Sequence, residues 1–180
     1  MAQQIEEGSF KELQAVIRDA VREKVRSITD QKNGTILLLF RPLCEEEDEW
    51  YGGLSTFGDE NDIAEYQVSF VLMPGGSHTI TYNNEDGTSE RVNTFGYAEL
   101  KIADCSFAVK NNIGFESGLA FDDKDRIEEN GYAARRGAVC YIDEKCRIYV
   151  AVSSLTPEQD RECALAGRQA IIDFMEKYEY

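Results

Sequence analysis

Apolar residues recur at near-helical spacing through the first part of the chain, at Phe10, Leu13, Ile17, Ala20, Val21 and Ile28. That spacing predicts an amphipathic helix from about residue 9 to 28, opened by a Ser9-to-Glu12 capping box. Lys32-Asn33-Gly34 then turns the chain, and the continuous apolar run Thr35 to Phe40 reads as a buried strand. From Glu65 to Met73, Tyr66, Val68, Phe70 and Leu72 alternate onto one face, which predicts a second strand. Pro74-Gly75-Gly76 turns, and Ser77 to Tyr82 returns as a third strand before the Asn83–Gly87 loop. A second helix is expected from about Thr94 to Asn111; its apolar residues wrap more than one face, so it is well buried. Near the end, Val139 and Tyr141 alternate with Ala138, Cys140 and Ile142, and Ile148, Val150 and Val152 alternate with Tyr149, Ala151 and Ser153. With polar Asp143-Glu144-Lys145 between them, these two strands form a hairpin. Thr156-Pro157-Glu158-Gln159 caps a last helix, Pro157 to about Tyr178, striped by Cys163, Gly167, Ala170, Ile171, Phe174 and Tyr178. The order α–β–β–β–α–β–β–α predicts an α/β (α+β) fold, with helices collected around a mainly antiparallel sheet of about five strands.

One region breaks the pattern. From about residue 44 to 65 the run Cys44-Glu-Glu-Glu-Asp-Glu49 leads into Trp50-Tyr51-Gly52-Gly53-Leu54 and Phe57-Gly58. Three readings stand: a solvated acidic loop, a hard-cation site without the alternating EF-hand spacing, or a contact with a basic partner or another subunit. The remaining length suits one domain over residues 1–180, with this stretch as an acidic insertion.

Charge narrows the class of partner. The chain carries 19 basic and 34 acidic residues, a net charge of −15. Nucleic acid and anionic membrane surfaces both need a positive footprint, so neither is an expected partner. The opening MAQQIEEGSF has neither a basic nor an apolar leader segment, and the longest apolar run is far short of a membrane span. A cytoplasmic location is expected. The five cysteines form no CxxC pair and read as reduced thiols, with Cys140 and Cys146 beside the hairpin turn as the alternative redox pair.

Few residues carry candidate chemistry. His78 is the single histidine: either a capped histidine on a sheet or a ligand contact. Arg135-Arg136 precede Gly137 at the entry to a strand; they pair with Asp125, Glu128 or Glu129, or clamp a carboxylate or phosphate. Lys101 on the second helix is a surface lysine or joins that clamp. Asp160, in the first turn of the last helix, suits the positive helix end. No catalytic pair, phosphate-binding glycine loop or cysteine-nucleophile signature is present.

The chain resembles the small-protein family that includes GlcG, HbpS and the C-terminal domain of PduO, and the related family with a yeast member acting in cytosolic protein targeting. The likeness rests on Tyr132-Ala133, Gly137-Ala138-Val139 and above all Val152-Ser153-Ser154-Leu155-Thr156-Pro157-Glu158-Gln159-Asp160, close to the family's Val-Ser-Gly-Leu-Thr-Pro-Glu-Glu-Asp. The Pro74-Gly75-Gly76 turn, the His78 strand and the helix holding Lys101 fall in matching register. Ser154 replaces the usual glycine, and Arg135-Arg136 stand where some members have glycine or histidine. The resemblance implies a three-layer α/β/α unit in symmetric homo-oligomers, in some members binding haem or a corrinoid, without a well-defined enzyme activity. It makes His78, Lys101, Arg135, Arg136 and Gly137 the expected ligand-binding set, with no catalytic residue and no dedicated metal site. The alternative is a protein-interaction module that docks a basic partner through its acidic surface.

Overall fold

A computed structural model describes residues 7–42, 66–118, 136–144 and 146–178. Three helices and six strands are formed by these residues: α1 Glu7–Ile28, β1 Thr35–Pro42, β2 Tyr66–Val71, β3 Thr79–Asn83, β4 Ser89–Asn93, α2 Thr94–Lys110, β5 Ala138–Ile142, β6 Cys146–Ser153 and α3 Pro157–Tyr178. The class is α+β. The main sheet is antiparallel, in the order β2-β1-β6-β5, and β3 and β4 form a separate two-stranded ribbon.

The sheet is buried on both faces, and period-two alternation sorts its side chains. Ile36, Leu38, Phe40, Val139, Ile148, Val150 and Val152 join Leu13, Ile17, Val21, Ile171 and Phe174 in a core beneath α1 and α3. Leu37, Ala138, Cys140, Tyr149 and Ala151 face the other way, against Ala98, Ile102 and Cys105 of α2. The unbroken apolar run of β1 follows from this double cover. The layers are therefore α1 and α3, the sheet, and α2. Gly167 lets α3 come close to its neighbours, because a Cβ there would stand 2.9 Å from Val21 Cγ2 and 3.0 Å from Val150 Cγ1.

Local chemistry sets the element ends. Asp143 closes the β5–β6 turn, its carboxylate accepting from the Cys146 amide at 2.8 Å. Thr156 and Gln159 form the reciprocal box that starts α3, each side chain accepting from the other's amide at 3.3 Å. Asn93 caps α2 by accepting from the Phe95 amide at 3.0 Å. At the first helix the structure differs from the sequence reading. α1 begins at Glu7, so Ser9 lies inside the helix and not at its cap.

The ribbon is a second difference. Residues 79–83 pair with β4, a strand of five residues with one half-buried apolar side chain, Val92. Among the described residues no strand pairing joins the ribbon to the main sheet, which has four strands. The acidic stretch from about residue 44 to 65, Arg135 and the carboxylates Asp125, Glu128 and Glu129 lie outside the described residues. No helix of the described residues is long and apolar enough to cross a membrane.

Candidate functional site

The ribbon, the first turns of α2 and the link from β6 into α3 enclose a cleft of about 870 Å³. Ile80, Tyr82, Asn84, Glu90 and Val92 form the ribbon wall, and Thr94, Tyr97 and Lys101 come from α2. Ser153 to Pro157, Gln159 and Asp160 form the opposite wall. Hydroxyls and amides dominate the polar lining. Among the described residues Lys101 is the one cationic side chain that lines it, against Glu90 and Asp160.

An ion pair lies at the floor. Lys101 is 3% exposed and its Nζ donates to Asp160 Oδ2 at 2.7 Å and to the Val152 carbonyl at 2.7 Å. Lys101 comes from the buried face of α2, and Asp160 from the first turn of α3 on the far side of β6. The second Asp160 oxygen accepts from the Leu155 amide at 3.1 Å, and the Ser154 amide also bonds to this carboxylate. One carboxylate thus ties the strand-to-helix turn to α2. Burial pushes the Asp160 carboxyl above its ordinary range, and the Lys101 charge and hydrogen bond oppose that rise.

Gly137 makes the pair possible. Its φ is +126°, and a Cβ there would stand 2.8 Å from Asp160 Cβ, Lys101 Nζ and Val152 O alike. Its carbonyl accepts from the Val152 amide at 2.8 Å. Gly137, expected from sequence as a ligand contact, is not among the described residues that line the cleft; its missing side chain leaves room for the buried ammonium.

The other expected residues go elsewhere. His78 does not line the cleft; its Nδ1 is 2.8 Å from Thr35 Oγ1, which is 2.8 Å from Thr94 Oγ1. The Thr94 hydroxyl donates to the His78 carbonyl at 2.6 Å. That commitment orders the rest: Thr35 donates to Thr94, and His78 Nδ1–H donates to Thr35. His78 is the anchor at the root of the ribbon. Arg136 pairs with Glu158 at 2.8 Å on the surface, with side chains 45% and 65% exposed. Such a pair contributes little to stability.

Asp160 is the candidate site residue that the sequence reading placed elsewhere, since a carboxylate in a first helical turn is ordinarily a dipole partner. The available signal was the turn Ser154-Leu155, whose amides need an acceptor when the strand-to-helix link is buried. The proposed Cys140–Cys146 pair is ruled out by geometry. Cys140 faces α2 and Cys146 faces α1 and α3, on opposite sides of the sheet, and both are free thiols. Among the described residues no cluster of three or more His, Cys, Asp or Glu side chains could hold a metal ion. Among the described lining residues neither His, Cys nor Met is present to ligate a haem iron and His78 is held in the ribbon root, which leaves Tyr82 and Tyr97 as the lining side chains of a type that ligates haem. No family model, curated protein or solved structure matches this chain.

Proposed function

We propose that this protein binds a small, uncharged polar molecule in the cleft between the β3–β4 ribbon and the start of α3. One observation carries the reading: a buried Lys101–Asp160 pair forms the floor of an open cleft of about 870 Å³. Desolvating two charges costs several kcal/mol per ion, and a hydrophobic pair of similar volume is often as stable. Such an arrangement facing a cavity marks a candidate ligand site. The family resemblance adds the expectation of a small ligand and not of a defined enzyme.

The charge balance sharpens the ligand class. Asp160 already neutralises Lys101, and Glu90 adds a further acidic group. A dianionic tetrapyrrole would meet no uncompensated cation among the described lining residues. Thr94, Tyr97, Ser153, Thr156, Asn84, Gln31 and Gln159 instead offer donors and acceptors to hydroxyl or carbonyl groups. Thermal denaturation of the whole protein with haemin, cobalamin, and panels of sugars, polyols and small aldehydes or ketones tests this. A rise in midpoint with the uncharged polar panel alone is the expected result. A rise confined to haemin or cobalamin, or no rise with any compound, would overturn it.

A further inference from the structure

We propose that Lys101 captures a polyhydroxy aldehyde or ketone in this cleft as an imine, with Asp160 as its proton partner. The inference rests on the ligand-binding reading of the cleft and names the reacting group and the ligand's chemistry. Among the described lining residues Lys101 is the one with a nucleophilic amine, and that amine has a carboxylate oxygen 2.7 Å away. Gly137 leaves the space in which the amine sits, and the Val152 carbonyl orients it from the side of β6. Hydroxyls and amides around the mouth suit a ligand that carries hydroxyls beside its carbonyl.

The step balances without an added oxidant or reductant. The Lys101 ammonium passes a proton along its hydrogen bond to Asp160, leaving a neutral amine. Burial favours this transfer, since it raises the affinity of the Asp160 carboxylate for a proton. The amine lone pair attacks the carbonyl carbon, the C–N bond forms, and the π pair moves to oxygen, which takes the proton from Asp160. Asp160, now ionised, takes a proton from the carbinolamine nitrogen and returns it to the hydroxyl, which leaves as water as the freed nitrogen pair forms the C=N bond. The sum is one ammonium and one carbonyl giving one iminium and one water. A lysine desolvated in this way is an established route to an activated amine. Asp160 is the acid–base partner of the step, exchanging protons with Lys101 and with the ligand oxygen.

The test uses wild-type protein incubated with glyceraldehyde or dihydroxyacetone, fixed with borohydride and mapped by peptide mass spectrometry. Hydride adds to the imine carbon and makes the adduct permanent. The expected result is an adduct on Lys101 at least tenfold above those on the α2 and α3 end residues Lys110 and Lys177, although Lys101 is 3% exposed. Adducts on other lysines with none on Lys101 would overturn the proposal. Ligand-observed NMR without borohydride separates the two levels. Binding without a Lys101 adduct sinks imine capture alone, whereas absence of both binding and adduct sinks the cleft reading too. Asp160→Asn should slow fixation at Lys101 more than tenfold and shift its pH profile upward, while Lys101→Arg should abolish it. Should either variant fail to fold, wild-type mapping still decides.

Discussion

Two buried polar side chains make opposite demands on the fold. Asp104 on α2 is fully buried; one carboxylate oxygen accepts from the Gly118 amide at 2.6 Å and the other has no partner among the described residues. Burial therefore raises its pKa, with the Gly118 hydrogen bond opposing. A raised folded-state value contributes stability that is full below the unfolded pKa of about 3.9 and is lost as pH rises through the folded value. Asp104→Asn removes the charge and keeps an acceptor for Gly118. Its gain in urea midpoint over wild type should be larger at pH 8 than at pH 5, and a gap independent of pH would contradict the assignment. Ser154 carries a different cost. Its φ is +154°, and its hydroxyl is buried without a hydrogen bond. Strained backbone of this kind costs about 1–3 kcal/mol, part of which a glycine gives back as unfolded-state entropy. Ser154→Gly should stabilise by about 1 kcal/mol, a rise of about 2–4 °C in Tm at this chain length, read by calorimetry.

At the scale of elements, periodicity exposed what packs and hid what does not. α2, β1, the β5–β6 hairpin and α3 were legible because burial forces apolar residues into periods of 3.6 or two. β4 was not, because Ser89-Glu90-Arg91-Val92-Asn93 lies mostly in solvent and alternation leaves no trace there. Its partner β3 was read as a strand of the main sheet for the same reason: Ile80 and Tyr82 alternate, but toward the cleft. The site was half legible. Lys101 and Gly137 could be named from sequence, whereas the Lys101–Asp160 bond spans 59 residues and depends on how α2 and α3 meet across β6. A two-stranded ribbon is marginal by itself in water, so its root matters. The hydroxyl chain through Thr35 and Thr94 joins the ribbon's first turn to β1 and α2. Thr94→Val keeps the shape and removes that link, leaving Thr35 short of an acceptor, at a cost of about 1–3 kcal/mol. Amide exchange should accelerate through residues 79–83 and 89–93 more than through β1 or β6. Equal acceleration everywhere would mean that the relay supports the whole fold and does not anchor the ribbon.

Across the whole molecule, the sheet divides the interior into two compartments, and the cysteines report on both. Cys146 and Cys163 lie in the core under α1 and α3, and Cys105 and Cys140 in the one under α2. These four, the cysteines of the described residues, are all buried. Burial pushes Cys140 up to about 11 and Cys163 up to about 12, and it raises Cys105 further. Thiolate is the reactive form, so at pH 8 Cys105, Cys140 and Cys163 are both shielded and protonated, and Cys146 is shielded by burial. Modification must then wait for the chain to open. Because α2 covers one face and two helices the other, the compartments need not open together. Thiol labelling of native protein at pH 8, quenched and mapped by peptide, should show Cys105 and Cys140 reacting at one shared slow rate and Cys146 and Cys163 at another. Denaturant below the transition should speed the α2 pair first, since a single helix lifting off uncovers both. A mild oxidant should yield no Cys140–Cys146 crosslink, because the sheet backbone stands between them. Rapid labelling of all four, or a 140–146 disulfide formed in native protein, would contradict the two-faced sheet on which the position of Lys101, and with it the cleft floor, depends.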